Sequence, residues 1–208
     1  MCKKLMFLVS LVAVLSLAVT VQAEYLTNPG FETGAEDPWY NYTETGGTTA
    51  IQSGNAHSGD YWWQETSGTG FISGLQDIGV PVDEPVTITA YLRNSGESAV
   101  DVELGFDYSP DPMAAPWWYG HSVRGITVPA DNTWNLYSFT EFDTSAPGYV
   151  DSAITSRPTD SFIMKAKIAL ITGSSTLDID DVSVIPEPAT IALLGLGGVA
   201  LLRRKRAH

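Results

Sequence analysis

Val86-Thr87-Ile88-Thr89-Ala90-Tyr91-Leu92-Arg93 alternates apolar and polar residues throughout, and Val100-Asp101-Val102-Glu103-Leu104-Gly105-Phe106-Asp107 repeats this alternation a few residues later. A period of two is typical of a β-strand that buries one face in a core. Asn94-Ser95-Gly96-Glu97 between the two stretches has the composition of a turn. These stretches therefore predict two strands that pair as an antiparallel hairpin.

Several shorter stretches between residues 24 and 185 also have the length and composition of strands. They are 48–52, 61–65, 71–78, 122–128, 133–142, 162–171 and 176–184. No window of a dozen residues in this part of the chain has the periodicity of an amphipathic helix. Many short strands separated by Gly, Pro, Ser and Asn predict an all-β fold, an antiparallel β-sandwich of the jelly-roll kind.

The first 23 residues have the three parts of a secretory signal peptide. Two lysines supply the positive charge, an almost wholly apolar run follows, and Val21-Gln22-Ala23 places small residues where a signal peptidase cleaves. A retained membrane anchor would need about 20 apolar residues, and this run is shorter. We therefore expect an N-terminal signal helix over residues 1–23, cleavage after Ala23 and a mature chain that begins at Glu24.

The C-terminus also has three parts: Pro186-Glu187-Pro188, an apolar run over residues 189–202, and Arg203-Arg204-Lys205-Arg206. A helix over the apolar run would be about 21 Å long, which is short of the ~30 Å hydrocarbon core of a bilayer. We expect a short, marginal transmembrane helix there. Its basic end would stay on the cytoplasmic side, which would place residues 24–185 outside the membrane.

This order resembles the PEP-CTERM sorting domain, and the resemblance covers about the last two dozen residues. It implies recognition by an exosortase, a membrane-embedded sorting enzyme of Gram-negative bacteria that make extracellular polysaccharide. The protein would be exported, anchored transiently in the inner membrane during sorting, and then displayed on the surface or released. A plain tail anchor is the alternative. The residues that would carry the signal are Pro186, Glu187, Pro188, Arg203, Arg204 and Arg206.

The net charge and the cysteine content limit the functions open to residues 24–185. These 162 residues have the size of one domain. The single cysteine, Cys2, lies in the leader, so the mature domain has no disulfide. Of the 24 acidic residues only Glu187 lies outside residues 24–185, whereas six of the 11 basic residues do, which leaves a formal charge of −18. That charge excludes nucleic acid as a partner and suits divalent cations.

Three local patterns, taken together, resemble the galactose-binding-like jelly rolls, a fold found in many carbohydrate-binding modules. Leu26-Thr27-Asn28-Pro29-Gly30-Phe31-Glu32 opens the domain, with Pro38-Trp39 soon after. Ala56-His57-Ser58-Gly59 precedes the aromatic stretch Tyr61-Trp62-Trp63, and Leu177-Asp178-Ile179-Asp180-Asp181-Val182-Ser183-Val184 closes the domain. The resemblance spans most of residues 25–185 and implies a module associated with carbohydrate.

The same resemblance implies a structural calcium ion held by Glu32 and Asp181, with Asp180 as the alternate ligand. Calcium takes several oxygen ligands, and adjacent first and last strands could supply carboxylates together with backbone carbonyls. In the alternative interpretation, Asp178, Asp180 and Asp181 are solvated polar residues on a terminal strand.

Aromatic clusters are the candidate ligand-binding residues. Trp117, Trp118 and Tyr119 end a proline-rich loop that starts near Ser109, and loops at the ends of sandwiches commonly meet ligands. Trp39 heads a second cluster, with Tyr40 and Tyr42. Large aromatic residues more often pack in cores, and of two consecutive tryptophans on a strand, such as Trp62-Trp63, one must face each way. Trp134 alternates with Leu136, which favours packing.

No catalytic motif is present in the sequence: it contains no Gly-x-Ser-x-Gly, no His-Glu-x-x-His and no phosphate-binding glycine loop. We therefore predict a non-enzymatic, exported surface protein that binds or associates with extracellular polysaccharide. Two alternatives stay open. One is a purely structural surface or biofilm-matrix protein with no sugar site, and the other is a small glycoside hydrolase.

Overall fold

The computed structural model describes residues 24–43, 46–80, 85–110, 120–150 and 162–186. Residues 24–185 form one compact unit, and residues 1–23 with 186–208 are assigned to a second. The predicted signal helix and transmembrane helix lie outside the described residues. Within the described ranges, no helix is long and apolar enough to cross a membrane.

Eleven strands form within the described ranges. They are β1 (Tyr40–Thr43), β2 (Thr48–Ser53), β3 (Tyr61–Thr66), β4 (Ile72–Ile78), β5 (Val86–Arg93), β6 (Val100–Pro110), β7 (Gly120–Val128), β8 (Asn135–Thr140), β9 (Tyr149–Val150), β10 (Phe162–Leu170) and β11 (Thr176–Pro186). One sheet has six strands in the order β1-β4-β10-β6-β7-β9, and the other has five in the order β2-β3-β11-β5-β8. The prediction of an all-β, antiparallel sandwich is confirmed.

The predicted hairpin between β5 and β6 is wrong. β5 lies between β11 and β8 in the five-stranded sheet, whereas β6 lies between β10 and β7 in the six-stranded sheet. The turn at 94–97 therefore carries the chain from one sheet to the other. Asn94 holds this corner, because its buried side chain donates to the carbonyls of Ser98 and Val128 at 2.8 and 3.3 Å.

The alternating residues of β5 and β6 form the core as predicted. The apolar residues of both strands are at most 2% exposed; they are Val86, Ile88, Ala90, Leu92, Val100, Val102, Leu104 and Phe106. An aromatic cluster of Phe31, Trp39 and Trp63 closes one part of this core, with ring centroids 5.6–5.7 Å apart. The core thus joins the opening loop to both sheets.

Candidate functional site

The outer face of the six-stranded sheet collects charged residues into rows. The residues of β6 and β10 that alternate with the core residues point to this face, and register places Asp77, Lys165, Asp107 and His121 side by side on four neighbouring strands. Lys167 lies in the next row, opposite Gly105. Because directly opposed residues share one face of a sheet, these side chains form one polar face, on which the lysines are buried and Asp77 is exposed.

Two lysines anchor this polar face. Lys167 Nζ lies 3.0 Å from Glu103 Oε2 and 3.4 Å from Asp107 Oδ1. Lys165 Nζ lies 3.5 Å from Asp77 Oδ1 and also donates to the hydroxyl of Ser109. Both lysines are almost fully buried, and a buried charge needs partners to be tolerated. The ion pairs therefore hold the lysine side chains in defined positions.

Tyrosines of β1 border the polar face. The Tyr40 hydroxyl donates to Asp77 Oδ1 at 2.8 Å, and burial followed by this hydrogen bond raises the pKa of Tyr40 far above its usual value. Its phenol is therefore a fixed neutral donor. Tyr42 is 54% exposed, two residues further along the same edge strand, and its ring contacts that of Phe71.

His121 completes the row next to Asp107. Burial, followed by the charge of Lys167, lowers the pKa of His121, although Glu103 and Asp107 act in the opposite direction. The imidazole is therefore neutral at physiological pH, where it offers one donor and one acceptor. The face thus combines ammonium groups, carboxylates, a phenol and a neutral imidazole.

The predicted ligand residues Trp117, Trp118 and Tyr119 lie outside the described residues. The segment that contains them joins β6, which ends at Pro110, to β7, which begins at Gly120. The described strand ends on either side of it, Pro110 and Gly120, lie next to Ser109 and His121 of the polar face.

The prediction that Trp39 belongs to a binding surface is wrong. Its side chain is only 3% exposed and packs against Phe31 and Trp63 in the core. Tyr40 and Tyr42, its predicted companions, do reach the outer face. The chain enters β1 at this point, so Trp39 completes the core immediately before the strand begins.

Glu32, Asp180 and Asp181, the predicted calcium ligands, all contact the 57–61 loop. A Cβ at Gly30 would lie 3.2 Å from Asp181 Oδ1, 3.7 Å from Glu32 Cγ and 3.9 Å from Asp180 Oδ1. Asp180 is fully buried, so it is not the solvated residue of the alternative interpretation. Burial raises the pKa of Asp180 to about 6, against the opposing effect of hydrogen bonds from the Ser58 and Asp181 amides.

The carboxylates of this cluster already accept hydrogen bonds from the 57–61 loop. Glu32 accepts from the amides of Asp60 and Tyr61. Asp180 accepts from the amides of His57 and Ser58, while Asp181 contacts His57 Nδ1 at 2.7 Å and the Ser58 hydroxyl at 2.8 Å. Their chemistry suits calcium. The spacing of these residues does not suit calcium, since the described ranges contain no group of three His, Cys, Asp or Glu residues arranged to hold a metal ion.

Sequence reasoning missed the lysines of the polar face. Phe-Ile-Met-Lys-Ala-Lys-Ile-Ala-Leu over 162–170 was recognised as a strand without a role for its two charges. A signal was available, because Lys165 and Lys167 are two of only five basic residues in the domain and are spaced to share one face of a strand.

A family model, the PEP-CTERM protein-sorting motif, matches residues 184–206. This confirms the predicted sorting signal and marks an exported protein that an exosortase processes. No curated protein matches the chain.

The sandwich is similar to several solved structures. TmCBM61, solved in complex with β-1,4-galactotriose, has a TM-score of 0.52 at 17% identity, over 79% of this chain and 99% of that one. The CBM22-2 xylan-binding domain of Paenibacillus barcinonensis Xyn10C has a TM-score of 0.58 at 10% identity, over 79% and 99%. The enzymatically active domain of bacteriophage CBA120 tailspike protein 4 has a TM-score of 0.53 at 10% identity, but the match covers only 21% of that chain. This protein therefore carries a PEP-CTERM protein-sorting motif at its C-terminus, preceded by a β-sandwich with the fold of carbohydrate-binding modules.

Proposed function

We propose that the exported domain binds extracellular polysaccharide without cleaving it, through the outer face of the six-stranded sheet. One observation carries the proposal: carboxylates held by the buried Lys165 and Lys167 share a face with the exposed edge tyrosines, Tyr40 and Tyr42. The similarity to carbohydrate-binding modules in fold supports it.

The chemistry of this face suits a hydroxyl-rich chain. Tyrosine rings can pack against the apolar faces of sugar rings, and the carboxylate of Asp77, whose side chain is 53% exposed, can accept from hydroxyl protons. The buried ammonium groups of Lys165 and Lys167 hold the carboxylates in place. Because ion pairs with the buried lysines already hold these carboxylates, binding loses less side-chain entropy than it would with free carboxylates. A shallow face of this kind gives weak binding per site, so many displayed copies would add avidity.

The pairing of the carboxylates favours binding over hydrolysis. Glu103 and Asp107 both contact Lys167, and Asp77 contacts Lys165. A glycosidase instead needs one protonated acid and a second carboxylate placed across the scissile bond. The structural alternative, a surface protein with no sugar site, predicts no measurable affinity for any glycan.

Retention of the 24–185 unit on the host's own polysaccharide tests the proposal. This unit contains every residue of the described hydrophobic core. Tyr42→Ala, and separately the double substitution of Trp117 and Trp118 by Ala, should weaken retention by about tenfold, which corresponds to about 1.4 kcal/mol. The melting temperature should stay nearly unchanged.

Leu136→Ala is the matched control, because Leu136 is 57% exposed and lies on the opposite sheet. No measurable retention of the wild-type unit would support the structural alternative, whereas measurable retention that is equal in all variants would place the sugar elsewhere on the domain. Release of reducing sugar by the wild-type unit, lost on replacing Glu103 or Asp107, would support the hydrolase.

For sorting, we propose that the exosortase acts on the C-terminal motif while the apolar run at 189–202 holds the protein transiently in the inner membrane. The domain would then reach the cell surface or the extracellular matrix. This order of events agrees with a cleavable leader at one end and a basic, membrane-directed tail at the other.

We also propose that Glu32, Asp180 and Asp181 hold a structural calcium ion. The Asp180 and Asp181 oxygens beside Gly30, and the Glu32 carboxylate beside Gly59, support this, since these oxygens are ligands that calcium prefers. Binding would have to draw the three carboxylates closer together. Such an ion would balance the negative charge of these carboxylates. The neighbouring imidazole is that of His57, which contacts Asp181.

A further inference from the structure

We propose that the five-stranded sheet carries a second carbohydrate site, which takes a segment of a neutral glycan. An open pocket of about 600 Å³ lies there, lined by Asn55, Trp62, Arg93, Asn132, Trp134 and Asp178 among others. This volume is typical of small-ligand sites. The pocket lies on the sheet opposite the polar face, so the two sites are independent.

The outer face of the sheet positions the pocket residues. Trp62 alternates with the core residue Trp63 on β3 and therefore points outward. Asp178 lies opposite Gln64 on the same face, and Arg93 ends β5 beside Trp134, which precedes β8. Strands β3, β11, β5 and β8 each contribute to the pocket or flank it.

Arg93 is fixed at the centre of the pocket. Its guanidinium carbon lies 4.8 Å from the ring centroid of Trp62 and 4.4 Å from that of Trp134. Its Nε donates to Asp178 Oδ2 at 2.9 Å, and its Nη1 donates to the Asn55 carbonyl at 2.8 Å. The planar group is thus held by stacking and by hydrogen bonds.

The two indoles are fixed as well. Trp134 Nε1 donates to the Asn55 carbonyl and Trp62 Nε1 to the Gly54 carbonyl, both at 3.0 Å. Their rings meet edge to face at 6.2 Å. Arg93 covers one face of each ring and Trp62 is only 8% exposed, so Trp134, which is half-buried, is the indole more open to a ligand. Because its N–H group is already satisfied and its ring is fixed, Trp134 loses little entropy on binding.

A purely structural role would explain why Arg93 stacks on Trp62 and Trp134, but it would not explain the open pocket. Arg93 and Asp178 could brace the strands, although a buried ion pair contributes little net stability. If bracing the strands were the only role of these residues, we would expect other side chains to fill the space above them. Instead Ser95 and Asn132 stand at its rim, both exposed.

The charges of the pocket favour a neutral ligand. The positive charge of Arg93 is matched by Asp178, so the pocket has no net charge. The domain around it is strongly acidic and repels polyanions. Aromatic faces with amide and guanidinium donors suit a neutral sugar. With one site on each sheet, a single domain could bridge two glycan chains.

Titration of the full-length chain in detergent with neutral tetrasaccharides (cello-, xylo-, manno- and maltotetraose) tests the site, read out by calorimetry and tryptophan fluorescence. Asn132→Gly removes the rim amide without backbone strain, because Asn132 has φ of 54°. It should weaken binding by about threefold to tenfold, the value of one hydrogen bond. Ser95→Leu should block the pocket and abolish binding to it.

Ser174→Gly is the matched control, because Ser174 is also exposed with positive φ, at 56°, and lies in a different loop. Each titration is repeated with Tyr42→Ala, which should weaken binding at the polar face by about tenfold. If the pocket binds, this background keeps an affinity that Ser95→Leu removes. If the polar face binds nothing, Tyr42→Ala has no effect on any titration.

Three results would overturn the second site: no binding of any neutral tetrasaccharide at millimolar concentration in the Tyr42→Ala background, affinities unchanged by Ser95→Leu and Asn132→Gly, or tighter binding of tetragalacturonate than of the neutral panel. The last would replace the neutral ligand by an acidic one.

Discussion

Glu65 is the residue least expected from the strand pattern. It lies on β3, two residues after Trp63, with its side chain fully buried, and among the described residues neither carboxylate oxygen has a hydrogen-bond partner. Burial raises the pKa of Glu65 well above its usual value and outweighs the opposing influence of the Leu170 and Gly74 backbone. Gly74 makes the room, since a Cβ there would lie 2.6 Å from Glu65 Oε1 and 2.2 Å from the Trp63 ring.

The stability of the domain should therefore fall as pH rises. Between the usual pKa of a glutamate and the raised folded value, the unfolded chain has released the Glu65 proton while the folded chain retains it. Unfolding then becomes easier by up to about 1.4 kcal/mol per pH unit. Glu65→Gln should remove this dependence and raise the melting temperature at pH 8 more than at pH 5. Glu97→Gln, an exposed turn residue, is the control; an identical pH slope in Glu65→Gln would contradict the argument.

At the scale of elements, the opening segment is fastened to the last strand. The Tyr25 amide donates to the Val184 carbonyl at 3.0 Å, and the Val182 amide donates to the Pro29 carbonyl at 2.9 Å. The carboxylates of Glu32, Asp180 and Asp181 then tie both to the 57–61 loop. Three distant parts of the chain meet in one acidic cluster.

Calcium should stabilise this junction. An ion bound only by the folded state adds about 2.7 kcal/mol at a hundredfold excess over its dissociation constant. Calcium should therefore raise the melting temperature, excess chelator should reverse the rise, and Glu32→Gln should abolish it while Glu97→Gln does not. Identical melting curves with calcium and with chelator, and no metal in the purified protein, would mean that the loop amides alone satisfy the carboxylates.

On the scale of the whole molecule, folding and sorting are assigned to separate parts of the chain. All described core residues lie between Leu26 and Val184, whereas the sorting motif covers residues 184–206. Only the end of β11 belongs to both.

Deleting residues 186–208 should consequently leave a folded, exported domain that is no longer sorted. We expect an unchanged melting temperature within about 2 °C, because no described core contact is lost, and accumulation of the protein away from the cell surface. Fractionation followed by immunoblotting measures this, with substitution of Pro186-Glu187-Pro188 by alanines as a milder test. Normal surface display of the truncated chain would refute a sorting role for the motif.

The strand pattern predicted most of the fold, and its errors have identifiable causes. The alternation of apolar and polar residues shows that one face of a strand is buried, but it does not show which sheet the strand joins. For this reason the sequence predicts a pairing of β5 with β6 that does not occur. β1 and β9 were missed because edge strands of four and two residues give too short a pattern. Trp134 was expected to be packed and Leu136 with it, yet Leu136 is 57% exposed, since Tyr137 and Phe139 supply the inward residues of β8.

The sequence by itself determined the C-terminal sorting motif, the all-β class and the residues of β5 and β6 that line the core, because a motif and a strand's periodicity are local properties. Only the tertiary structure decided which carboxylates and lysines become neighbours. Lys165, Asp77 and Asp107 are far apart in sequence but adjacent by strand register, and Trp62, Arg93 and Trp134 meet only because β3, β5 and β8 share one sheet. Both candidate binding faces arise from strand order, which no local pattern encodes.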